Sequence, residues 1–394
     1  MSAESLFEQE RAYFLPVYRR LPIILERAQG CWLFDVEGRR YLDFLAGIAT
    51  LALGHGHPRI LQAVIRQLQR YAHVSNFFVV PAQLELARWL RQVTGLQRVF
   101  FANSGAEAVE AALKLARRWG WMHGREQIWG FSGGFHGRTY GALSLMDRPL
   151  YREGMGPYLP KIGTLPYNDP ETLERTLDER TCAVVLECIQ GEGGVIEASP
   201  EFLGTLEQLR RRYGFLLIVD EVQTGLGRTG AWLAVQHYGI VPDIVVLAKA
   251  LGGGLPLGAI VAGEHLAQVW SAGMHGSTFG GNPAACAAGV VLMEELASGL
   301  LEHVRRVGHV LRSQLEELAR RFPERIRQVR GRGLMLGIEL DGAAEYLRDA
   351  LLGEGVVVGI SGQRVLRILP PLIVSAEEVE FFCAALERVL QRMR

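Results

Sequence analysis

Lysine is nearly absent from this chain. Of 42 basic residues only Lys114, Lys161 and Lys249 are lysines, so chemistry that needs a primary amine has three candidates. Charge of one sign is missing too: 42 basic residues balance 42 acidic ones, with no long one-sign run. That removes the electrostatic footprint of a nucleic-acid binder or of a protein held to an anionic membrane. Cysteine is scarce and odd in number. Cys31, Cys182, Cys188, Cys286 and Cys383 are dispersed and lack zinc-ligand spacing, the pattern of reduced cytosolic thiols rather than of a disulfide framework or a metal centre. No apolar run is expected to reach the ~18–20 residues that span a bilayer. The first ten residues are acidic and lack the apolar stretch of a secretory leader. The expectation is a cytoplasmic protein that acts on small molecules, with no metal, nucleic acid or membrane as partner.

With 394 residues, 49% of them hydrophobic, the chain can bury a large core and divide into two domains. Gly30 to Phe44 reads as a hairpin turning at Glu37-Gly38. Helical patterns follow from His57-Pro58 to Tyr71, with Ile60, Leu61, Val64, Ile65 and Leu68 as its apolar positions, and from Pro81 to Val93. From Arg98 onward short apolar runs alternate with helical stretches, which predicts a parallel sheet wrapped by crossover helices. The strands expected are Arg98–Ala102, Gln127–Phe131, Cys182–Leu186, Leu216–Val219, Asp243–Leu247 and Ala259–Ala262. Asn282–Phe322 reads as a long helix interrupted near Ser298-Gly299. A smaller α+β portion has strands near Gly337–Leu340, Val356–Val358 and Val365–Leu369 and a closing helix at Ala376–Met393. The domain boundaries expected are an N-terminal segment over 1–60, a large domain over 61–290, a connecting helix over 291–323 and a C-terminal small domain over 324–394.

Ligands of open α/β sheets collect beyond the carboxyl ends of the strands, and five strand ends carry chemistry. At the first, Ser104-Gly105 stands where a strand hands over to a helix, so free backbone N–H groups there form an anion cradle; N-capping by Ser104 is the plainer reading. At the second, Phe135-His-Gly-Arg138 offers an aromatic face and an arginine for a carboxylate. The third presents Glu187, Gln190 and Glu192 in a glycine-rich loop. The fourth ends an apolar strand in Asp220, a carboxylate that needs a partner if buried. The fifth is Lys249, whose desolvated amine would have a lowered pKa and could form a Schiff base. Taken singly, each has an ordinary explanation: a helix cap, a solvated arginine, a paired lysine. Together they match one cofactor. Pyridoxal phosphate needs a lysine for its aldehyde, a carboxylate for its ring nitrogen, an aromatic face for its ring and a helix N-terminus for its phosphate.

Six motifs, Ser104-Gly-Ala-Glu-Ala, Phe135-His-Gly-Arg, Gln190-Gly-Glu-Gly-Gly, Asp220-Glu-Val-Gln, Ala248-Lys-Ala-Leu-Gly-Gly-Gly and His275-Gly-Ser-Thr, resemble those of class III aminotransferases of fold type I. The likeness runs in order from Trp32-Leu-Phe-Asp to Leu366-Arg-Ile-Leu-Pro-Pro and is strongest toward the acetylornithine aminotransferase branch. That branch includes the relatives that act on lysine precursors linked to an amino-group carrier protein. The resemblance implies an α/β fold in which a large domain with a mainly parallel sheet is joined to a small α+β domain formed by both termini. It implies that Lys249 carries pyridoxal phosphate, that Asp220 faces the ring nitrogen, that Ser104, Gly105 and Ala106 hold the phosphate, that Phe135 stacks on the ring and that Gln223 lies near the ring hydroxyl. Glu221 and Val222 complete the same motif around the cofactor. Thr278 would reach the phosphate of a neighbouring copy, which implies a homodimer with shared active sites.

By the same resemblance Arg138 and Ser277 serve the substrate, Arg138 through a carboxylate remote from the reacting carbon. Arg367 would hold the α-carboxylate of glutamate, and Glu192 would pair with Arg367 when the other substrate is bound. The implied activity moves the ω-amino group of N-acetylornithine, or a closely related N-blocked diamino acid, to 2-oxoglutarate, in arginine or lysine biosynthesis. Other donors of the class are ornithine, succinyl-diaminopimelate, 4-aminobutyrate and carrier-linked lysine. Within the same fold, a glutamate-1-semialdehyde-type aminomutase is a different class of reaction. The chain departs from the family pattern at Cys188, where proline is usual, at Val109, where asparagine is frequent, and at Ile368, where phenylalanine usually follows the arginine. The loop after Arg138 and the stretch Val74 to Phe78 are expected to shape the distal substrate pocket.

Overall fold

The computed structural model describes residues 3–393; Met1, Ser2 and Arg394, at the ends of the first and last expected segments, lie outside them. A seven-stranded sheet organises the molecule, in the spatial order Arg98–Ala102, Gly258–Ala262, Ile244–Leu247, Leu216–Asp220, Thr181–Leu186, Gln127–Phe131, Ile162–Leu165. Neighbours are parallel except Gly258–Ala262, which runs against both of its partners. Thr181–Leu186 and Leu216–Asp220 are buried at every position. Helices cover both faces of the sheet, so its central strands are continuous apolar runs instead of alternating ones. A charge placed at Val184 would be buried without a partner, at a cost of about 3 kcal/mol or more.

The helix Gly105–Met122 crosses one face of the sheet. Ser104 caps it, its hydroxyl accepting the Glu107 N–H at 3.2 Å, and Ala108, Ala112, Leu115 and Ala116 form its buried stripe. On the other face Pro283–Glu295 packs against Pro58–Arg70 and Pro81–Thr94. Together with its continuation to Arg321 it is long and apolar enough to cross a membrane, contrary to the sequence expectation. The reason is burial: Cys286, Leu292 and Met293 are inaccessible and belong to the core. Gly299, at φ 120°, breaks the run between Glu295 and Leu301, where the sequence pattern placed the interruption.

The expected hairpin is present as Trp32–Asp35 against Arg40–Asp43, flanked by Leu25–Gln29. Val356–Val357, from near the other terminus, pairs in parallel with Arg40–Asp43, so both ends of the chain build one small domain. Its second sheet runs Ile326–Arg332, Met335–Leu340, Val365–Ile368, Gly359–Ser361, all antiparallel. Ala376–Arg392 closes the domain behind a Ser375–Glu378 capping box.

In Pro58–Arg70 the apolar positions divide: Ile60 is buried, whereas Leu61, Ile65 and Leu68 are about half exposed. They share that exposure with Phe77, Phe78, Leu84 and Phe279.

Candidate active site

A cavity of about 430 Å³ opens at the carboxyl ends of the sheet, with Ser104, Gly105, Phe135, Asp220, Gln223 and Lys249 among its walls. Ala106, Val222 and Glu192 line it as well. Each residue arrives by the same device, a strand that ends and a loop that turns back across its tip.

Lys249 follows the buried strand Ile244–Leu247 and holds φ at 47°, in the left-handed region. The three lysines differ in company. Lys114 Nζ lies 2.9 Å from His275 Nδ1 and Lys161 Nζ 2.9 Å from Glu126 Oε1, whereas Lys249 has neither a hydrogen bond nor an ion pair among the described residues. Its side chain borders the cavity and is only half-buried by surface, yet its amine is enclosed by protein. Desolvation, helped by the charge of Arg367 and opposed by Glu192, Asp220 and Glu187, lowers its pKa to about 8.

Asp220 ends the neighbouring parallel strand and is 3% exposed. One carboxylate oxygen accepts the Val222 N–H at 3.0 Å; the other is 2.8 Å from His136 Nδ1. Burial works to lower the pKa of His136, but the hydrogen bond and charge of Asp220 outweigh it and raise the value. His136 is thus a buried hydrogen-bond partner for Asp220. On sequence it reads as a loop histidine, and its only signal was its place between Phe135 and Arg138. Glu187 also lines the cavity, its Oε2 accepting the Phe135 N–H at 2.9 Å. Burial raises its pKa to about 7, against the opposing charge of His136.

The cradle for an anion fits in detail. The Ser104 hydroxyl is taken by the Glu107 N–H, which leaves the Gly105 and Ala106 N–H groups, at the first turn, without intrahelical acceptors. A Cβ on residue 105 would stand 3.0 Å from Val222 Cγ1 and fill the space beside them. Gln223 Oε1, buried next to the cavity, has no hydrogen-bond partner among the described residues, so a hydroxyl on a bound ring would meet an acceptor in waiting. These features suit a phosphorylated aromatic aldehyde: a phosphate at the helix N-terminus, a ring against Phe135 and an amine-reactive group at Lys249.

Five expected residues stand elsewhere. Glu221 is turned away from the cavity: its carboxylate accepts from Thr224 Oγ1 at 2.5 Å and from the Ala234 and Val235 N–H groups at 3.0 and 2.8 Å, capping the short turn Ala234–Tyr238. Burial pushes its pKa to about 7. Thr278 is exposed, and Ser277 lies beside it. The stretch Val74 to Phe78 is with them and not at this chain's cavity, because Asn76 Nδ2 ties it to the Ser277 and Gly280 carbonyls at 3.0 and 3.1 Å. Arg367 is 4% exposed and set behind Glu192, to which its Nη1 is bonded; its Nε has no partner. Arg138 is exposed, with its guanidinium 4.8 Å from the ring of Tyr151, which meets Phe135 edge-on at 5.8 Å. Arg148 donates to Tyr151 Oη at 2.9 Å and to the Glu192 carbonyl at 3.3 Å, so Tyr151, which no sequence pattern singled out, joins Arg138 to the loop of Glu192.

Comparison with known proteins agrees with this geometry. Residues 13–390 match the family model described as aminotransferase class-III. The acetylornithine aminotransferase of Archaeoglobus fulgidus is 44% identical over 374 residues, 95% of this chain and 97% of that one. Among solved structures, the ornithine aminotransferase of Toxoplasma gondii, reported with partial occupancy of PLP at its active site, superposes with a TM-score of 0.94 at 34% identity, covering 99% of this chain and 94% of that one. The acetylornithine aminotransferase of Elizabethkingia anophelis has a TM-score of 0.89 at 33% identity, with 99% of both chains covered.

Proposed function

The chain belongs to the class-III aminotransferases, and from that premise we propose how its residues divide the reaction. It is a pyridoxal-phosphate-dependent transaminase that moves the ω-amino group of N-acetylornithine, or of a closely related N-blocked diamino acid, to 2-oxoglutarate. The products are an aldehyde and glutamate, and the reaction belongs to arginine or lysine biosynthesis. What supports the assignment of Lys249 is an amine without an ion-pair partner and with its pKa drawn down to about 8, on one cavity wall with the buried Asp220.

Pyridoxal phosphate supplies an aldehyde that condenses with amines and a cationic ring that accepts electrons from the carbon bearing nitrogen. Gly105, Ala106 and Ser104 hold its phosphate, Phe135 and Val222 its ring faces and Gln223 its hydroxyl. Lys249, neutral over a useful fraction of the working pH range, would take the proton from the donor's ω-carbon and deliver it to the carbon that was the cofactor's aldehyde. Asp220, oriented by its hydrogen bond with His136, would face the ring nitrogen and favour its protonated form. Arg138, steadied against Tyr151, binds the donor carboxylate far from the reacting carbon. Arg367 receives the α-carboxylate of glutamate or 2-oxoglutarate, and Glu192 neutralises it while the donor, which has no carboxylate there, is bound.

The working unit is a homodimer. Leu61, Ile65, Leu68, Phe77 and Phe279 are exposed apolar side chains of the kind partners cover, and the exposed Thr278, next to Phe279, would serve the second copy's cofactor. The reaction is placed in the cytosol, in keeping with five cysteines that are all buried and unpaired. The donor is decided by a half-reaction panel that follows loss of the cofactor's visible band with N-acetylornithine, ornithine, succinyl-diaminopimelate, 4-aminobutyrate and a carrier-linked lysine in turn. N-acetylornithine should give the largest rate constant per concentration. A carrier-linked lysine in first place would make an amino-group carrier protein the partner, and turnover of glutamate-1-semialdehyde without added oxo acid would assign a mutase instead.

A further inference from the structure

Arg228 is the most deeply buried cation outside the cavity walls that has no carboxylate in contact: it is 2% exposed and forms no ion pair among the described residues. Burial pushes its pKa down to about 9, with Asp43 acting the other way. A guanidinium is held in such a place only if its hydrogen bonds are worth more than its hydration, and its two acceptors say what they are for.

Both acceptors are main-chain carbonyls of the small domain. Arg228 Nη1 donates to Leu334 O at 3.0 Å and to Pro370 O at 2.5 Å, and the Arg228 carbonyl accepts the Leu334 N–H at 3.0 Å. Met335–Leu340 and Val365–Ile368 are antiparallel, with Leu336 opposite Ile368 and Gly337 opposite Arg367. By the same register Leu334 stands opposite Pro370, at the place where the ladder would continue. The 370–371 segment has no main-chain donor to continue with, because both residues are proline, and the Leu334 N–H is taken by the Arg228 carbonyl. The side chain of Arg228 closes the ladder in place of an N–H. Around it the same segment is tied to the N-terminal part of the chain, with Leu369 N–H to Phe44 O at 2.8 Å and Leu372 N–H to Ala52 O at 2.7 Å.

Arg228 belongs to the large-domain loop that starts at Asp220, and the strand it closes carries Arg367 three residues before Pro370. We propose that Arg228 is a positioning residue: it staples the Arg367 strand to the Asp220 loop and so fixes where the α-carboxylate of glutamate and 2-oxoglutarate is received. The inference rests on the reading of Arg367 given above. The donor's own carboxylate is assigned to Arg138, on a different loop, and does not depend on this staple. The two half-reactions therefore respond differently when it is cut.

The test measures single-turnover half-reactions of the holoenzyme with glutamate and with N-acetylornithine for Arg228→Met, Arg228→Lys and, as a control on the reading, Arg367→Gln. Arg228→Met should raise the half-saturating glutamate concentration tenfold or more and leave that of N-acetylornithine within twofold. Arg228→Lys, which keeps a donor, should recover part of the loss. Hydrogen exchange of the amides from 366 to 372 in the apoprotein should quicken in Arg228→Met without a matching change in Gly105–Met122. Equal losses in both half-reactions, or no loss with glutamate, would overturn the staple. If Arg367→Gln leaves glutamate saturation unchanged, the reading of Arg367 falls first and independently. Should Arg228→Met fail to fold, the same split measured on Arg228→Lys decides.

Discussion

Glu192 and Arg367 are bonded to each other across 175 positions of sequence, one from a glycine-rich loop of the large domain and the other from a strand of the small one. The arginine side chain is 5% exposed and the glutamate 21%. The carboxylate can therefore leave toward the cavity, while the guanidinium stays buried and needs an anion. On the proposed roles, this pair would present a neutral wall to one substrate and a cation to the other.

Glu192→Gln should make that wall permanently cationic. Saturation by glutamate and 2-oxoglutarate should tighten by roughly tenfold, equivalent to ~1.4 kcal/mol, and the donor half-reaction should slow. Single-turnover titrations with each substrate measure both changes. Unaltered glutamate saturation would mean that Glu192 does not compete for Arg367.

Lys249 should titrate near its pKa of about 8 in the apoprotein. Roughly a quarter of the amine would then be neutral at pH 7.5, against about a thousandth for an unperturbed lysine. With three lysines in the chain, ¹³C-methylation gives a spectrum simple enough to assign, and the resonance lost in Lys249→Arg is the one to follow. A midpoint above ~10 would contradict the desolvated amine. The sign for stability is fixed: the unfolded chain binds more protons on this group between pH 8 and 10.5, so its contribution makes the apoprotein more stable as pH rises across that window. Borohydride reduction of the holoenzyme should attach the cofactor to Lys249 and to neither of the other two.

Glu187 works in the opposite direction. Its folded pKa, raised to about 7 by burial, lies above the unfolded value. The folded protein therefore holds the extra proton between about pH 4.5 and 7, and this group's contribution falls as pH rises through that range. Glu187→Gln keeps the acceptor for the Phe135 N–H and removes the charge, with His136, Asp220 and Lys249 facing it unchanged. Its melting temperature relative to the parent should be higher at pH 8 than at pH 5, by about 2 °C or more. A constant difference across pH would show that Glu187 does not titrate there.

Ile65→Asp or Phe77→Asp should dissociate the proposed dimer, since each puts a charge where an exposed apolar side chain stands. Sedimentation should move from two copies to one, and activity should fall with it because Thr278 no longer meets a second site. A monomeric parent would remove the shared site altogether.

The large domain was legible in sequence because its strands are buried on both sides. Arg98–Ala102 and Gln127–Phe131 are found at the expected boundaries, and the other four expected strands differ by one residue at an end. Ile162–Leu165, an edge strand with a glycine and a threonine in four residues, gave too weak a pattern to see, and so did Ile326–Arg332, with three arginines in seven. Periodicity found the helix Pro58–Arg70 but not which of its apolar residues stay exposed, because spacing alone does not say what covers a face. In the site, strand ends disclosed Lys249, Asp220 and Phe135. The His136 pairing, the turning away of Glu221 and the place of Tyr151 depend on contacts between segments distant in sequence, and no local pattern carries them.

The backbone of Lys249, with φ at 47°, has a consequence for how this position changes over time. A residue with a Cβ held in the left-handed region costs about 1 kcal/mol or more, and the enclosed amine adds its own desolvation. The fold thus works against Lys249 twice. On its proposed role either alanine or glycine would abolish the chemistry, but alanine would keep the strained turn and glycine would release it. A copy freed from selection for activity should drift toward glycine and melt at a higher temperature than its working parent, so that only use holds the lysine in place.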